Sequence, residues 1–311
     1  MWSELTAIYA GNAALFAGCA AVLGLLVGSF LNVVIYRLPV MLERRWRAEA
    51  AQLLPAAEVA DADHAATIPA ATAQPFNLLT PRSACPQCRT PIKAGHNVPV
   101  LSWLWLRGRC AACGAKISLR YPLVEFATAL ASAAIAWHFG FGPSAGCALL
   151  VTWVLIALAG IDIDHQLLPD DLTLLLLWAG LAAAALLGPA AGGVLPVSPR
   201  ESILGAAAGY LSLWLVFHAF RAVTGKEGMG YGDFKLFAAL GAWLGWQLLP
   251  LILVLAAAAG AALGVGLIVF RGRDRAAPIP FGPYLAVAGW LAMLYGRSMI
   301  SAYLHVSGLG R

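Results

Sequence analysis

Apolar runs of about 20 residues recur along the chain and constrain its fold more than any other feature. An α-helix rises about 1.5 Å per residue, so each run can cross about 30 Å of hydrocarbon. Charged residues make up only 11% of the chain, whereas a typical soluble domain has about 25%. Because so few charges cannot cover a water-facing surface, the sequence predicts an all-α integral membrane protein.

The apolar runs predict about eight transmembrane helices, the sixth and seventh meeting at Pro250. The predicted spans are 13–36, 122–140, 145–162, 172–188, 202–220, 234–249, 250–270 and 281–300. We expect three regions: a first transmembrane helix (1–36), a cytoplasmic insert (37–121) and a seven-helix membrane domain (122–311). We expect no cleaved signal peptide, because the first basic residue, Arg37, follows the first span.

The positions of lysine and arginine predict the orientation of these spans. If the insert is cytoplasmic, three further loops are cytoplasmic too: those near 163–171, 221–233 and 271–280. Nearly all of the 20 basic residues then lie in or beside cytoplasmic segments. The exceptions are Arg200, Arg297 and Arg311. The pattern places the N-terminus outside, and it explains the net charge of +5 without a nucleic-acid partner.

Two CxxC motifs stand in the insert, Cys85 with Cys88 and Cys110 with Cys113. Each motif offers two thiolates from one tight turn, and two motifs complete a tetrahedral sulfur shell for zinc. Disulfides or reduced thiols are the alternative, although disulfides are disfavoured in the cytoplasm. The sequence predicts a structural zinc ion, because four cysteines leave no open position for a catalytic water. Before this site we expect a short helix near 42–54 and a flexible linker within 43–75.

Two acidic clusters lie where the predicted topology meets the cytoplasmic membrane edge. The first contains Asp162 and Asp164, and the second contains Asp233 in a Gly-x-Gly-Asp sequence. Carboxylates at such positions are costly and are therefore functional candidates. Two neighbouring carboxyls cannot both ionise, so one holds a proton while the other activates water. This chemistry suits an aspartyl protease, although spacing alone does not choose between Asp162 and Asp164.

Helix capping is the competing interpretation for several of these acidic residues. Asp170 and Asp171 follow Pro169 at the start of a span, so N-capping is their expected role. Asp233 could cap a helix as well. Glu125 is interpreted as a charge at a helix start, with support of the site as the alternative. Beside Asp233, the glycines at 230 and 232 predict backbone turns closed to other residues, which would bring a substrate backbone close to Asp233.

Several segments in one order resemble the type IV prepilin leader peptidase/N-methyltransferase family, whose members are GxGD aspartyl membrane proteases. Besides the two CxxC motifs, these segments are 28–39, 120–125, 161–170, 225–235 and 280–284. In this family the catalytic aspartates are the first Asp of D-x6-P-D and the Asp of GxGD. The resemblance therefore implies that Asp162 and Asp233 are catalytic, with Gly230 and Gly232 in support.

The resemblance also implies a reaction and a location, the bacterial inner membrane. Prepilins and pseudopilins would lose a basic leader after a glycine at the cytoplasmic face. The new N-terminus would then be methylated with S-adenosylmethionine by the insert, where Gly108 is the nominated residue. The chain departs from the family at His96, because an acidic residue commonly stands there before Asn-Ile/Val-Pro.

Two hypotheses from other functional classes compete with the protease. A transporter could use intramembrane carboxylates as a proton relay, but such proteins tend to have repeated halves and charges at mid-membrane depth. A non-enzymatic assembly factor could use the cysteine insert to dock secretion proteins. The predicted position of the acidic clusters at one membrane edge favours the protease.

Overall fold

The computed structural model describes residue 9 and residues 12–53, 76–189, 195–271 and 280–308. These described residues contain nine α-helices and no β-strand, with two isolated β-bridges in the insert. The helices are α1 (Ala13–Leu53), α2 (Leu101–Trp105), α3 (Arg120–Phe139), α4 (Pro143–His165), α5 (Asp170–Leu187), α6 (Pro199–Thr224), α7 (Tyr231–Leu244), α8 (Leu249–Arg271) and α9 (Gly282–Val306).

Seven helices in the described ranges are long and apolar enough to cross a membrane: α1, α3, α4, α5, α6, α8 and α9. The predicted all-α, multispan fold is confirmed, and the cysteine motifs lie between the first two spans. The sequence predicted about eight spans, and the one without a membrane-spanning helix among the described residues is 234–249. It corresponds to α7, whose 14 residues extend only about 21 Å at 1.5 Å per residue.

Helix α1 differs from the prediction because it continues to Leu53 instead of ending at residue 36. Pro39 lies inside it and removes one helical hydrogen bond. Burial of Leu38 and Leu42 favours the continuation, as do two hydrogen bonds from Arg37 to backbone carbonyls of the insert. The short helix predicted near 42–54 is therefore present, as the end of α1. The rest of the predicted linker, residues 54–75, lies outside the described residues.

The chain forms two compact units. One consists of Met1–Gly24 and Ala127–Arg311, and the other of Leu25–Phe126. The boundaries fall within α1 and α3, so parts of both helices belong with the insert. The predicted division into three regions remains a prediction.

Helix α7 forms the centre of the larger unit, where it packs against α5, α6 and α9. Its buried residues include Phe234, Leu236, Phe237 and Leu240. The close approach of α6 depends on glycine. A Cβ at Gly205 would collide with a backbone carbonyl of α7, and one at Gly209 would lie 2.6 Å from another. Small residues four apart allow membrane helices to approach in this way.

Candidate active site and metal centre

The Asp162 carboxyl is buried at the end of α4. Gln166 ends this helix in a left-handed conformation and donates its amide to the Asp162 carbonyl at 2.9 Å. Oδ2 of Asp162 accepts a hydrogen bond from the backbone amide of Gly282, at the start of α9, at 3.0 Å. Asp164 is exposed. Of the two candidates in the first acidic cluster, Asp162 is therefore the one that the fold buries.

Asp233 is buried in the first turn of α7. The N-cap of this helix is Gly230, whose amide donates to Asp233 Oδ2 at 3.3 Å. Asp233 therefore supports the helix start from its third position rather than capping it. Its Oδ1 is the one buried side-chain oxygen or nitrogen without a hydrogen-bond partner in the described part of the chain. Because an unpaired buried polar atom is costly, this oxygen is a candidate for chemistry.

The two glycines before Asp233 do not adopt the conformations predicted for them. Neither has a positive φ, and Gly230 has an extended conformation open to other residues. Close packing explains Gly232 instead, because a Cβ there would lie 2.7 Å from Leu168 Cβ. A Cβ at Gly282 would lie 3.1 Å from a methyl group of the same leucine. Leu168 thus lies between the starts of α7 and α9.

The two buried carboxyls interact electrostatically. The pKa of Asp233 is raised to about 7, first because burial disfavours its charged form and second because the charge of Asp162 acts on it. The Gly230 amide opposes this shift by stabilising the carboxylate. A pair that holds one proton near neutral pH can supply a base and an acid together.

An ion pair joins the helices on either side of this site. Lys235 Nζ, on α7, lies 2.6 Å and 2.7 Å from the two carboxylate oxygens of Asp170. Asp170 and Asp171 are the first two residues of α5, whose N-cap is Pro169. The interpretation of these aspartates as N-caps is therefore wrong, and Asp170 instead holds the start of α5 to α7.

The four insert cysteines converge on one point. Cys85 Sγ lies 3.8 Å from Cys113 Sγ, and Cys88 Sγ lies 4.0 Å from Cys110 Sγ. All four sulfurs lie within 4.8 Å of one another. A tetrahedral zinc ion with Zn–S bonds of about 2.3 Å places its sulfurs about 3.8 Å apart. All six cysteines of the chain are free thiols, so the disulfide alternative is not realised, and the residues fit zinc.

The two CxxC motifs fold as matching knuckles. In each, the first cysteine's amide donates to the carbonyl five residues later, Thr90 at 3.0 Å and Ala115 at 2.8 Å. The residue after each second cysteine has a positive φ, 56° at Arg89 and 72° at Gly114. Both sulfur pairs are therefore held by the same turn, as a shared metal site requires.

The four thiols do not hold their protons equally. Hydrogen bonds from the side chain and backbone of Thr90 lower the pKa of the Cys88 thiol to about 6. The pKa of the Cys113 thiol is raised to about 11, even though a backbone hydrogen bond from Ala115 lowers it, because the neighbouring sulfurs act on it. A bound cation would displace these protons, since metals bind the thiolate form.

Gly108 has a structural explanation in this unit. Its φ is 66°, and a Cβ there would lie 2.8 Å from the Trp103 ring. Its amide donates to the Trp103 carbonyl at 2.8 Å, and its carbonyl accepts the Ile117 amide at 2.7 Å. Gly108 therefore fixes the approach to the second knuckle, where a left-handed backbone and a close aromatic ring both favour glycine.

Sequence reasoning missed two contacts. Gly282 lies in the segment 280–284, but nothing in that segment indicated its hydrogen bond to Asp162. Glu125 was interpreted as a helix-start charge, yet it is buried in the second turn of α3 and accepts the Val100 amide at 2.7 Å. The sequence feature that could have indicated this contact is an acidic residue within an otherwise apolar helix.

Two family models match most of the chain. The bacterial peptidase A24 N-terminal domain matches residues 22–139, and the type IV leader peptidase family matches residues 149–265. The first match contains the four cysteines, and the second contains Asp162 and Asp233. No solved structure matches the chain.

Curated relatives match over nearly their whole length. A protein of Aeromonas hydrophila is 55% identical over 90% of this chain and 91% of its own. Another of Stutzerimonas stutzeri is 51% identical over 96% of this chain and 98% of its own. A third, of Pseudomonas aeruginosa, is 51% identical over 94% of this chain and 95% of its own. All three are named prepilin leader peptidase/N-methyltransferase. With such identity across a shared length, the chain belongs to the type IV leader peptidase family.

Proposed function

We propose that this protein removes the leader peptide from type IV prepilins, with Asp162 and Asp233 as the catalytic carboxyls. The family and the names of the relatives support the reaction class. One observation carries the choice of residues. Asp233 is buried, the charge of Asp162 acts on it, and its Oδ1 has no hydrogen-bond partner among the described residues. Such an oxygen is available to a substrate in a site that otherwise satisfies its polar groups.

The geometry suggests how the carboxyls divide the work. The Gly282 amide stabilises a charged Asp162, which removes a proton from water as the water attacks the scissile carbonyl carbon. Asp233 keeps its proton and donates it in a hydrogen bond from Oδ1 to the developing oxyanion. When the C–N bond breaks, the proton on Asp162 passes to the leaving amine. One proton is then left on the pair, as before the reaction.

The position of the site supports cleavage at a membrane edge. Asp162 lies in the last turn of α4 and Asp233 in the first turn of α7, while Gly282 begins α9. With the N-terminus periplasmic, as the basic residues predict, this edge faces the cytoplasm. The substrates are prepilins and, in our proposal, pseudopilins, which are cut after a leader glycine between the basic leader and the apolar helix.

The second proposed activity is methylation of the new N-terminus. S-adenosylmethionine supplies the methyl group when bound: the neutral amine attacks the methyl carbon, the C–S bond breaks, and the amine loses a proton to water. The insert carries this step in our proposal, and zinc on Cys85, Cys88, Cys110 and Cys113 holds its fold. Gly108 contributes by positioning the second knuckle, and His96 stands where the family commonly has an acid.

Mass spectrometry of a purified prepilin tests both activities. The substrate is incubated in detergent with S-adenosylmethionine and one of four enzymes: wild type, Asp162→Asn, Asp233→Asn or the control Asp164→Asn. We expect wild type and the control Asp164→Asn to shorten the substrate by the mass of the leader and to add one methyl group. The other two variants should leave the substrate mass unchanged. Cleavage that survives Asp162→Asn or Asp233→Asn would remove that residue from the catalytic pair. Cleavage without a methyl group would confine the protein to proteolysis.

A further inference from the structure

The backbone at Val100 is strained and is held by a buried carboxylate. Val100 has φ 60° and ψ −49°, and the Leu101 amide donates to the Pro99 carbonyl across it at 2.6 Å. This is a γ-turn with a positive central φ, a rare and strained turn. A β-branched residue is especially poorly suited to it. Such strain persists only where the surroundings enforce it, and it concentrates at functional sites.

Glu125 supplies the contact that enforces this turn. Its Oε2 accepts the Val100 amide at 2.7 Å. Only 8% of Glu125 is exposed. A carboxylate buried to this extent is costly unless it is hydrogen-bonded, so Glu125 needs the hydrogen bond from the Val100 amide. The carboxylate and the strained turn therefore stabilise each other.

The turn sets the direction of the chain into the second cysteine knuckle. The Val100 carbonyl accepts the Leu104 amide at 3.0 Å, which closes the first turn of α2. Trp103, on that helix, lies against Gly108 and donates its ring N–H to the Ile117 carbonyl at 3.3 Å. A continuous set of contacts thus runs from Glu125 through α2 to the residues flanking Cys110 and Cys113.

We propose that Glu125 is a positioning residue for methyl transfer, because its carboxylate fixes the Val100 turn and thereby the segment from His96 to Gly108. This inference rests on the proposed methylation by the insert. It assigns Glu125 no contact with the methyl donor or the amine. The proposed peptidase step uses Asp162 and Asp233 and does not involve this carboxylate.

The test compares four variants of the full-length protein in detergent. Glu125→Leu removes the acceptor, and Glu125→Gln keeps one carbonyl oxygen that can accept the Val100 amide. Glu125→Leu with Val100→Gly lets the turn form without β-branched strain. Glu43→Leu is the control, because Glu43 is exposed on α1 and pairs with Arg47. Readouts are cleavage rate, methylation rate on an already cleaved pilin, zinc content, and hydrogen exchange of residues 100–108.

Glu125→Leu should lower the methylation rate about a hundredfold, as small displacements of reacting groups do. Cleavage should stay within about twofold, and exchange at 100–108 should accelerate at least about tenfold. Glu125→Gln should retain much of the methylation rate and of the slow exchange at 100–108. Adding Val100→Gly to Glu125→Leu should restore a large part of both. If Glu125 only supported the fold in general, relieving the strain at residue 100 would not restore methylation or the protection of residues 100–108.

Two outcomes would overturn the proposal. One is wild-type exchange and methylation in Glu125→Leu. The other is an equal loss of cleavage and methylation that Val100→Gly fails to restore, which would make Glu125 a general support of the fold. If wild type itself transfers no methyl group, the proposed methylation fails, whereas exchange and zinc content still decide whether Glu125 fixes this segment.

Discussion

The backbone amide of Gly282 donates a hydrogen bond to the Asp162 carboxylate at 3.0 Å, across 120 residues of sequence. The first residue of α9 thereby orients a carboxylate at the end of α4. There is no room for a side chain between them, because a Cβ at residue 282 would lie 2.6 Å from Asp162 Oδ2. Glycine here is explained by proximity to the carboxylate.

Gly282→Ala should therefore lower the cleavage rate about a hundredfold while the protein stays folded, because the methyl group displaces Asp162. The rate is measured by mass spectrometry of a cleaved prepilin, and folding by size-exclusion chromatography in detergent. Gly146→Ala is the matched control, since Gly146 lies on the same helix as Asp162 and has no atom within 4 Å of its built Cβ. Equal rates for the two variants would show that the Gly282 contact is unimportant for cleavage.

Cleavage should slow as pH rises above about 7. The pKa of Asp233 is raised from 3.8 to about 7, so its proton is present below that pH and lost above it. The proposed mechanism needs this proton, so kcat should fall up to about tenfold per pH unit on the alkaline side. Initial rates across this range, with enzyme returned to pH 6.5 as a control for inactivation, provide the measurement. A rate that rises on the alkaline side would contradict this assignment of the proton.

The ion pair between Lys235 and Asp170 should matter for cleavage more than for stability. Both side chains are partly exposed, and such pairs contribute about 0–1 kcal/mol to unfolding. Lys235 is nevertheless two residues from Asp233, so Lys235→Ala should lower the cleavage rate about tenfold by loosening that helix start. The charge-exchanged pair, Asp170→Lys with Lys235→Asp, should recover part of the rate.

Asp171→Asn is the control for this prediction. Asp171 is next to Asp170 on the same helix turn and is exposed, so its variant should cleave at the wild-type rate. If the exchanged pair is no better than Lys235→Ala, the lysine acts through something other than Asp170.

The cysteine cluster should hold one zinc ion per chain. Cys85→Ser with Cys110→Ser removes one ligand from each knuckle, and metal content measured by inductively coupled plasma mass spectrometry should fall to near zero. Methylation should be lost with the metal, because the knuckle that follows Gly108 loses its closure. Cys19→Ser with Cys147→Ser is the control, since both residues lie outside the cluster. Normal zinc content in the first variant would refute the site.

The sequence determined the fold class and most of the chemistry. Runs of apolar residues sufficient to span a bilayer are a one-dimensional property, so the spans were predictable to within a few residues, apart from α1 and the short α7. CxxC spacing is equally local, because each tight turn holds its own pair of thiols. The resemblance to a family named Asp162, where spacing alone left Asp164 equally possible.

Only the tertiary structure decided the contacts that join distant segments. Burial separates Asp162 from Asp164. The amide that contacts the Asp162 carboxyl comes from the start of α9, which no local pattern connects to α4. Gly232 and Gly282 are small because Leu168 and a carboxylate fill the adjacent space, not because their backbone conformations are closed to other residues. Glu125 stands at a helix start in the sequence, yet the chain folds back so that it accepts the Val100 amide. Periodicity reports which residues share a helix face, whereas these contacts depend on which faces meet.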